Sequence, residues 1–191
     1  MPSLQLDPGT TAVVLIDLQQ GIVGGRTVPH AAADVVARAA RLVRRFRERR
    51  GLVVLVHIDP GPNGELFPSP EADQPRPVLA VPPDWTRTVS ELGPEPGDAV
   101  VTKHQPNAFY GTDLEVHLRR RRVRTIVLGG ISTNLGVEAT ARAAHERRYE
   151  QVFVEDAMAA REEDLHSFPI TRVFPTIGRV RSTDDVLAAL A

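Results

Sequence analysis

Thr125-Ile-Val-Leu-Gly-Gly-Ile-Ser-Thr-Asn-Leu-Gly-Val-Glu-Ala-Thr-Ala-Arg142 is the stretch on which the fold turns. It opens with a short apolar run, Ile126 to Leu128, bounded by Gly129 and Gly130, the pattern of a buried strand. It closes with Val137, Ala141 and Ala144 at helical spacing, the buried face of an amphipathic helix. Between them lies a small polar turn, Ser132-Thr133-Asn134. A strand that feeds a helix through such a turn sets backbone N–H groups at the carboxyl edge of a sheet, where open α/β folds bind ligands. The same stretch also fits a plain strand–loop–helix whose glycines serve packing alone.

Working outward, the chain repeats this alternation. Thr11 to Ile16 is a continuous apolar run, as expected of a strand covered on both faces, and it ends in Asp17-Leu18-Gln19-Gln20. An acid there serves equally as a cap or turn residue or as part of a strand-end site. His30 to Arg50 predicts a helix, with Val35, Val36, Ala39, Leu42, Val43 and Phe46 on one face and Gly51 as its stop. Leu52 to Val56 and Asp98 to Thr102 predict the second and third strands, Lys103 following directly on the third. Thr112 is the expected N-cap for a helix over 113–121, with Glu115 in a capping-box position. A fifth strand over 151–155, a helix over 162–173, a short edge strand over 177–180 and a final helix over 184–190 complete the pattern. The alternation predicts an α/β fold: a three-layer, mainly parallel six-stranded sheet in the order 3-2-1-4-5-6, with helices on both faces. Right-handed crossovers then bring Asp17, Lys103 and the turn over 132–136 to one edge.

Composition narrows the function. At 191 residues the chain, 1–191, is read as a single domain able to bury a full core. A net charge of −1 gives no reason to expect nucleic acid or an anionic membrane as partner. The basic run Arg119 to Arg122 falls at a helix end, where cations suit the macrodipole. No apolar run approaches the roughly 20 residues needed to span a bilayer, and the N-terminus lacks a leader pattern, so the cytoplasm is the expected location. There is no cysteine, which removes disulfides, thiolate metal sites and any cysteine nucleophile. The segment from Asp59 to Pro83 carries eight prolines in 25 residues and reads as a long excursion over the strand ends, suited to a lid or a subunit contact. Trp85, just after it, fits a packing anchor or a ligand contact.

A strand-end Asp, a strand-end Lys and a helix N-terminus form a catalytic frame, since lysine lowers a neighbouring carboxyl pKa and amides stabilise an oxyanion. Asp17-Leu18-Gln19, then Lys103 with Asn107-Ala-Phe-Tyr-Gly-Thr-Asp113, then Gly130-Ile-Ser-Thr-Asn-Leu-Gly136 together resemble the isochorismatase-like hydrolase family, along almost the whole chain. In the cysteine hydrolases of that family the last position of the turn is the nucleophile; here it is Gly136. The resemblance therefore excludes thioester amidase chemistry and points to the subgroup with glycine at that position, which is thought to cleave a vinyl ether with the aspartate as proton donor. It implies Asp17 and Lys103 as catalytic residues. It implies Gln19, Phe109, Ile131, Ser132, Thr133, Asn134 and Gly136 as substrate-binding, and a cis peptide at Ile131–Ser132.

Other family features are missing. The Gln and Arg that grip isochorismate after the second strand are not evident in His57-Ile-Asp59, though Arg76 and Arg87 lie downstream. The closely spaced Asp and histidines of a nicotinamidase metal site are absent too, so neither metal nor cofactor is expected. Three readings stay open: a hydrolase of a small acidic substrate, an inactive member that keeps the pocket, and Asp17–Lys103 as a purely structural ion pair. A homo-oligomer, dimer or larger, with a small-molecule substrate is the expected state.

Overall fold

The computed structural model describes residues 4–62, 64–67, 71, 73 and 81–190. Most of the proline-rich segment, Arg76 included, lies outside these residues. Six strands form one sheet: β1 (Thr11–Ile16), β2 (Leu52–Ile58), β3 (Ala99–Lys103), β4 (Thr125–Ile131), β5 (Glu150–Ala159) and β6 (Arg179–Arg181). Their order is β3-β2-β1-β4-β5-β6, and every neighbouring pair is parallel. This is the three-layer α/β arrangement expected from the alternation.

The helices are α1 (Gln20–Val23), α2 (Ala32–Glu48), α3 (Leu114–Arg120), α4 (Glu138–Glu146), α5 (Glu163–Phe168), α6 (Phe174–Ile177) and α7 (Thr183–Ala189). Strand residues alternate between two apolar layers. Val13 and Leu15 of β1 pack with Val35, Leu42 and Phe46 of α2 and Val186 of α7. Val14 and Ile16 pack on the other side with Leu114 and Leu118 of α3, Ala141 and Ala144 of α4 and Phe174 of α6. Because both faces of the middle of the sheet are covered, β1, β2 and β4 are apolar almost throughout, whereas the outer strand β3 alternates buried and exposed residues.

Several local expectations are corrected. Helix α2 stops at Glu48; the left-handed residue that turns the chain is Arg50, at φ +57, and the Gly51 amide then bonds back to Phe46 O at 2.8 Å. At α3 the cap residue is Asp113, which makes no side-chain cap bond, while Thr112 Oγ1 accepts from the Leu114 amide at 3.2 Å. Glu115 forms no capping box there, because its carboxylate is drawn outward to Arg119 and Arg147. The helix over 162–173 is α5 followed by a π-helical turn, Pro169–Val173, since Pro169 has no amide hydrogen to continue the ladder. Strand β5 runs four residues beyond Glu155. It holds a register break: Leu128 pairs with Phe153 and Gly130 with Met158, so two steps along β4 oppose five along β5. Such breaks re-aim side chains at sheet edges.

Candidate active site

The site is built where β1 ends. Asp17 directly follows Ile16, which pairs with Val56 on one side and Gly130 on the other. The Asp17 amide extends the ladder by one bond, to Val56 O at 2.9 Å, and at φ +55 the chain then leaves the sheet. Asp tolerates that left-handed conformation better than most residues. Lys103, the last residue of β3, pairs in register with Ile58. Its ammonium reaches across to Asp17 Oδ2 at 2.8 Å. Both residues are buried, Asp17 at 5 % exposure and Lys103 at 1 %.

Burial pushes the Asp17 carboxyl up from 3.8 to about 6, while the charge and hydrogen bond of Lys103 pull the other way. Desolvation wins because an ionised carboxyl deprived of water costs more than one ammonium repays. Asp17 Oδ1 is buried and has no hydrogen-bond partner. One oxygen is thus spent on Lys103 and the other is uncommitted, an arrangement that native proteins seldom keep without a role for it.

The third member comes from the turn after β4. The Ile131–Ser132 peptide is cis. Thr133–Val137 forms a π-helical turn that runs straight into α4. Gly130 stands at φ +127, and a Cβ there would collide with Ile16 O, so the close approach of β4 to β1 requires glycine. Gly136 faces the ion pair. A Cβ on it would lie 2.8 Å from Ile16 Cγ2, 3.1 Å from Asp17 Oδ2 and 3.4 Å from Lys103 Nζ. The position that carries the nucleophile in cysteine hydrolases of this resemblance therefore sits directly over the acid and the ammonium.

The other sequence-predicted residues are placed differently. Gln19 is fully buried and its amide serves the backbone: Nε2 donates to Ile58 O at 3.0 Å and Trp85 O at 3.1 Å, and Oε1 accepts from the Ile58 amide at 2.8 Å. It pins the end of β2 and the segment carrying Trp85. That indole lies against Gly21, where an added Cβ would collide with the ring, so Trp85 is a packing anchor. Phe109 stacks on Tyr149, centroids 6.0 Å apart, beneath the Arg147 guanidinium at 4.7 Å. Ile131 is buried in the α2 layer. Ser132 Oγ donates to Asn134 Oδ1 at 2.8 Å, which closes the polar turn on itself. Arg87 is exposed. His57 bonds Thr102 Oγ1 at 3.0 Å, and His104 Nδ1 lies 2.8 Å from Asp59 O, so both imidazoles are occupied locally.

Thr133 leads to groups that sequence reasoning missed. Its hydroxyl lies 2.9 Å from His166 Nδ1 in the interior. His166 Nε2 is 3.2 Å from Glu155 Oε1, and His30 Nε2 reaches the same oxygen at 3.0 Å. The hydrogen bond from His166, with further help from His30, holds the Glu155 carboxyl down at about 2 against its burial. Positions 30, 155 and 166 share no local spacing that could have revealed them; the sole hint was an acid at the end of the fifth strand.

With that geometry in view, comparison with known proteins is informative. Residues 11–185 match the isochorismatase domain. The chain is 44% identical to the isochorismatase family protein YecD of Escherichia coli O157:H7, over 98% of this chain and all of that one. Among solved structures, an isochorismatase family protein from Burkholderia thailandensis superposes with a TM-score of 0.93 at 45% identity, covering 98% of both chains. The N-carbamoylsarcosine amidase of Thermoplasma acidophilum is more distant, with a TM-score of 0.73 at 30% identity over 92% of this chain and 97% of that one.

Proposed function

The chain belongs to the isochorismatase family, and on that premise we propose that it is a hydrolase of a small acidic substrate of the vinyl-ether type, with Asp17 as general acid. The observation that carries this reading is the state of Asp17: a buried carboxyl held near 6, one oxygen on Lys103 and the other uncommitted. A general acid works best when its pKa lies close to the working pH. With no cysteine in the chain, the thiol route open to cysteine hydrolases of the family has no nucleophile here.

The chemistry balances with the residues at hand. Protonated Asp17 gives its proton to the terminal alkene carbon of the enol ether, and the ether oxygen supplies electron density to the cation that forms. Water adds to that cation and returns one proton to Asp17. The resulting hemiketal collapses to a keto acid and an alcohol, its hydroxyl proton passing to the departing oxygen. Lys103 offsets the substrate's carboxylate and the charge left on Asp17. Gly136 leaves room over the pair that a side chain would fill. Thr133, Ser132 and Asn134 line the turn as substrate-binding groups.

The experiment is pyruvate release from isochorismate by the wild type and by Asp17→Asn. Release that depends on Asp17 supports the reading. Absence of release from both proteins removes isochorismate and favours the second reading, a family member that binds a small molecule without turnover, which the missing nucleophile supports. We read the chain as a homo-oligomer, dimer or larger. Tyr110, on the segment after Lys103, and Leu135, beside Gly136, are apolar and exposed, which supports it. Light scattering at micromolar concentration tests this, and a strict monomer counts against it.

A further inference from the structure

Three side chains outside the Asp17 site converge from three separate elements. His30 precedes α2, Glu155 lies in the register break of β5, and His166 belongs to α5. Their ligand-capable atoms all fall within 4.8 Å of one another, the one such group among the described residues. We propose that His30 Nε2, Glu155 Oε1 and His166 Nε2 form a binding site for a zinc-class divalent cation, with a fourth position open to water.

The first argument is spacing. A tetrahedral zinc with bonds of about 2.0–2.1 Å holds its ligand atoms about 3.3 Å apart. Glu155 Oε1 stands 3.0 Å from one imidazole nitrogen and 3.2 Å from the other. A cation can therefore replace the two shared protons once the two imidazole nitrogens, which lie within 4.8 Å of each other, take up the same spacing.

The second argument is that the ligands are held from behind. His166 is 3% exposed, and its Nδ1 is fixed by the Thr133 hydroxyl at 2.9 Å, the kind of outer contact that sets ring orientation in metal sites. The segment bearing His30 is tied to the strand bearing Glu155 by two backbone bonds between Val28 and Ala160, at 2.8 and 2.9 Å. Thr27 Oγ1 adds a bond to His30 O at 2.9 Å.

The third argument is donor chemistry and access. Two imidazoles and one carboxylate suit zinc and its neighbours rather than magnesium or calcium, which prefer all-oxygen shells. The Glu155 side chain is 33% exposed and that of His30 23%, so an ion has an entry path and a solvent-facing fourth position.

Metal uptake also carries a consequence for the turn. An ionised carboxylate only accepts, so without metal both imidazoles donate to it from Nε2, and a neutral His166 must then accept the Thr133 proton at Nδ1. A cation on Nε2 moves the His166 proton to Nδ1, which now donates to Thr133. The Thr133 hydroxyl is thereby released to donate within the turn beside Gly136.

The test uses the full chain, stripped with a chelator and titrated with Zn²⁺ by calorimetry and with Co²⁺ by visible absorption. The expected result is one ion per chain and a tetrahedral Co²⁺ spectrum. Affinity should fall at least about 100-fold in His30→Ala and in Glu155→Gln, and stay unchanged in His104→Ala. Circular dichroism verifies that each variant is folded, and ¹⁵N spectra of the histidines should show His166 switching tautomer on metal addition. No uptake at millimolar Zn²⁺ overturns the proposal and leaves the cluster as a hydrogen-bond network. Uptake that survives in both His30→Ala and Glu155→Gln, or that is lost in His104→Ala, overturns it as well.

Discussion

Asp17 and Glu155 are two carboxylates near the same carboxyl edge of one sheet, and the protein treats them in opposite ways. Asp17 lies at 5 % exposure with a single cation for company, and its carboxyl is pushed up to about 6. Glu155 is a third exposed and takes two hydrogen bonds from imidazoles on one oxygen, and its carboxyl is held at about 2. The difference teaches that number and type of donors, set against loss of water, decides which acid keeps its proton. One group is prepared to hold and give a proton near neutral pH; the other stays an anion under all ordinary conditions.

The largest effect that would break this comparison is on turnover. Asp17→Asn keeps the shape and removes the transferable proton, so pyruvate release from isochorismate should drop by roughly 10²–10⁴-fold. A variant with near wild-type rate would show that Asp17 is not the acid.

Next in size is the loss of Lys103. Lys103→Met removes the only cation bonded to Asp17 among the described residues. Breaking a buried pair costs about 3–5 kcal/mol, measurable by urea denaturation. The Asp17 carboxyl should at the same time move above 6, because the charge and the hydrogen bond of Lys103 that lowered it are both gone. A titration midpoint that falls instead would contradict the lowering effect assigned to Lys103.

The pH profile sharpens the contrast further. Since Asp17 acts in its protonated form, the rate should be steady below about 6 and decline roughly tenfold per pH unit above it. Stability follows the same sign. The folded-state value is raised above 3.8, so the contribution of this group is fully present below 3.8 and is lost as pH rises through about 6. Carbon-detected NMR of the aspartate carboxyls reads the midpoint directly, and a value near 4 would remove the distinction between the two acids.

The smallest expected effect is at Glu155. Glu155→Gln weakens two charge-assisted hydrogen bonds at a partly solvated position, so the protein should stay folded and lose about 1–2 kcal/mol in urea. A loss as large as that of Lys103→Met would mean that the imidazole cluster is as central to the fold as the buried pair.

Much of this molecule was legible in its residues. Apolar runs of strand length, each followed by a helical period, dictate a covered parallel sheet, because a strand buried on both faces has no polar side to show. Strand ends then place Asp17 and Lys103, and the strand–turn–helix of 125–142 places Gly136 beside them. Local chemistry was less reliable. Glu115 had the spacing of a capping box but found stronger partners in Arg119 and Arg147. Gln19 reads as a substrate contact in its motif, yet its amide is consumed by three backbone groups from β2 and the Trp85 segment.

The sequence by itself determined the layer order, the absence of a thiol and the edge at which the site is built, since these follow from periodicity, composition and the handedness of crossovers. Only the tertiary structure decided the protonation of Asp17, because desolvation depends on what packs around a carboxyl and no spacing encodes that. It also decided the meeting of His30, Glu155 and His166, which rests on a register break in β5 and on a bridge from Val28 to Ala160. Both are contacts between segments far apart in the chain, and their energy exists only once the sheet has closed over them.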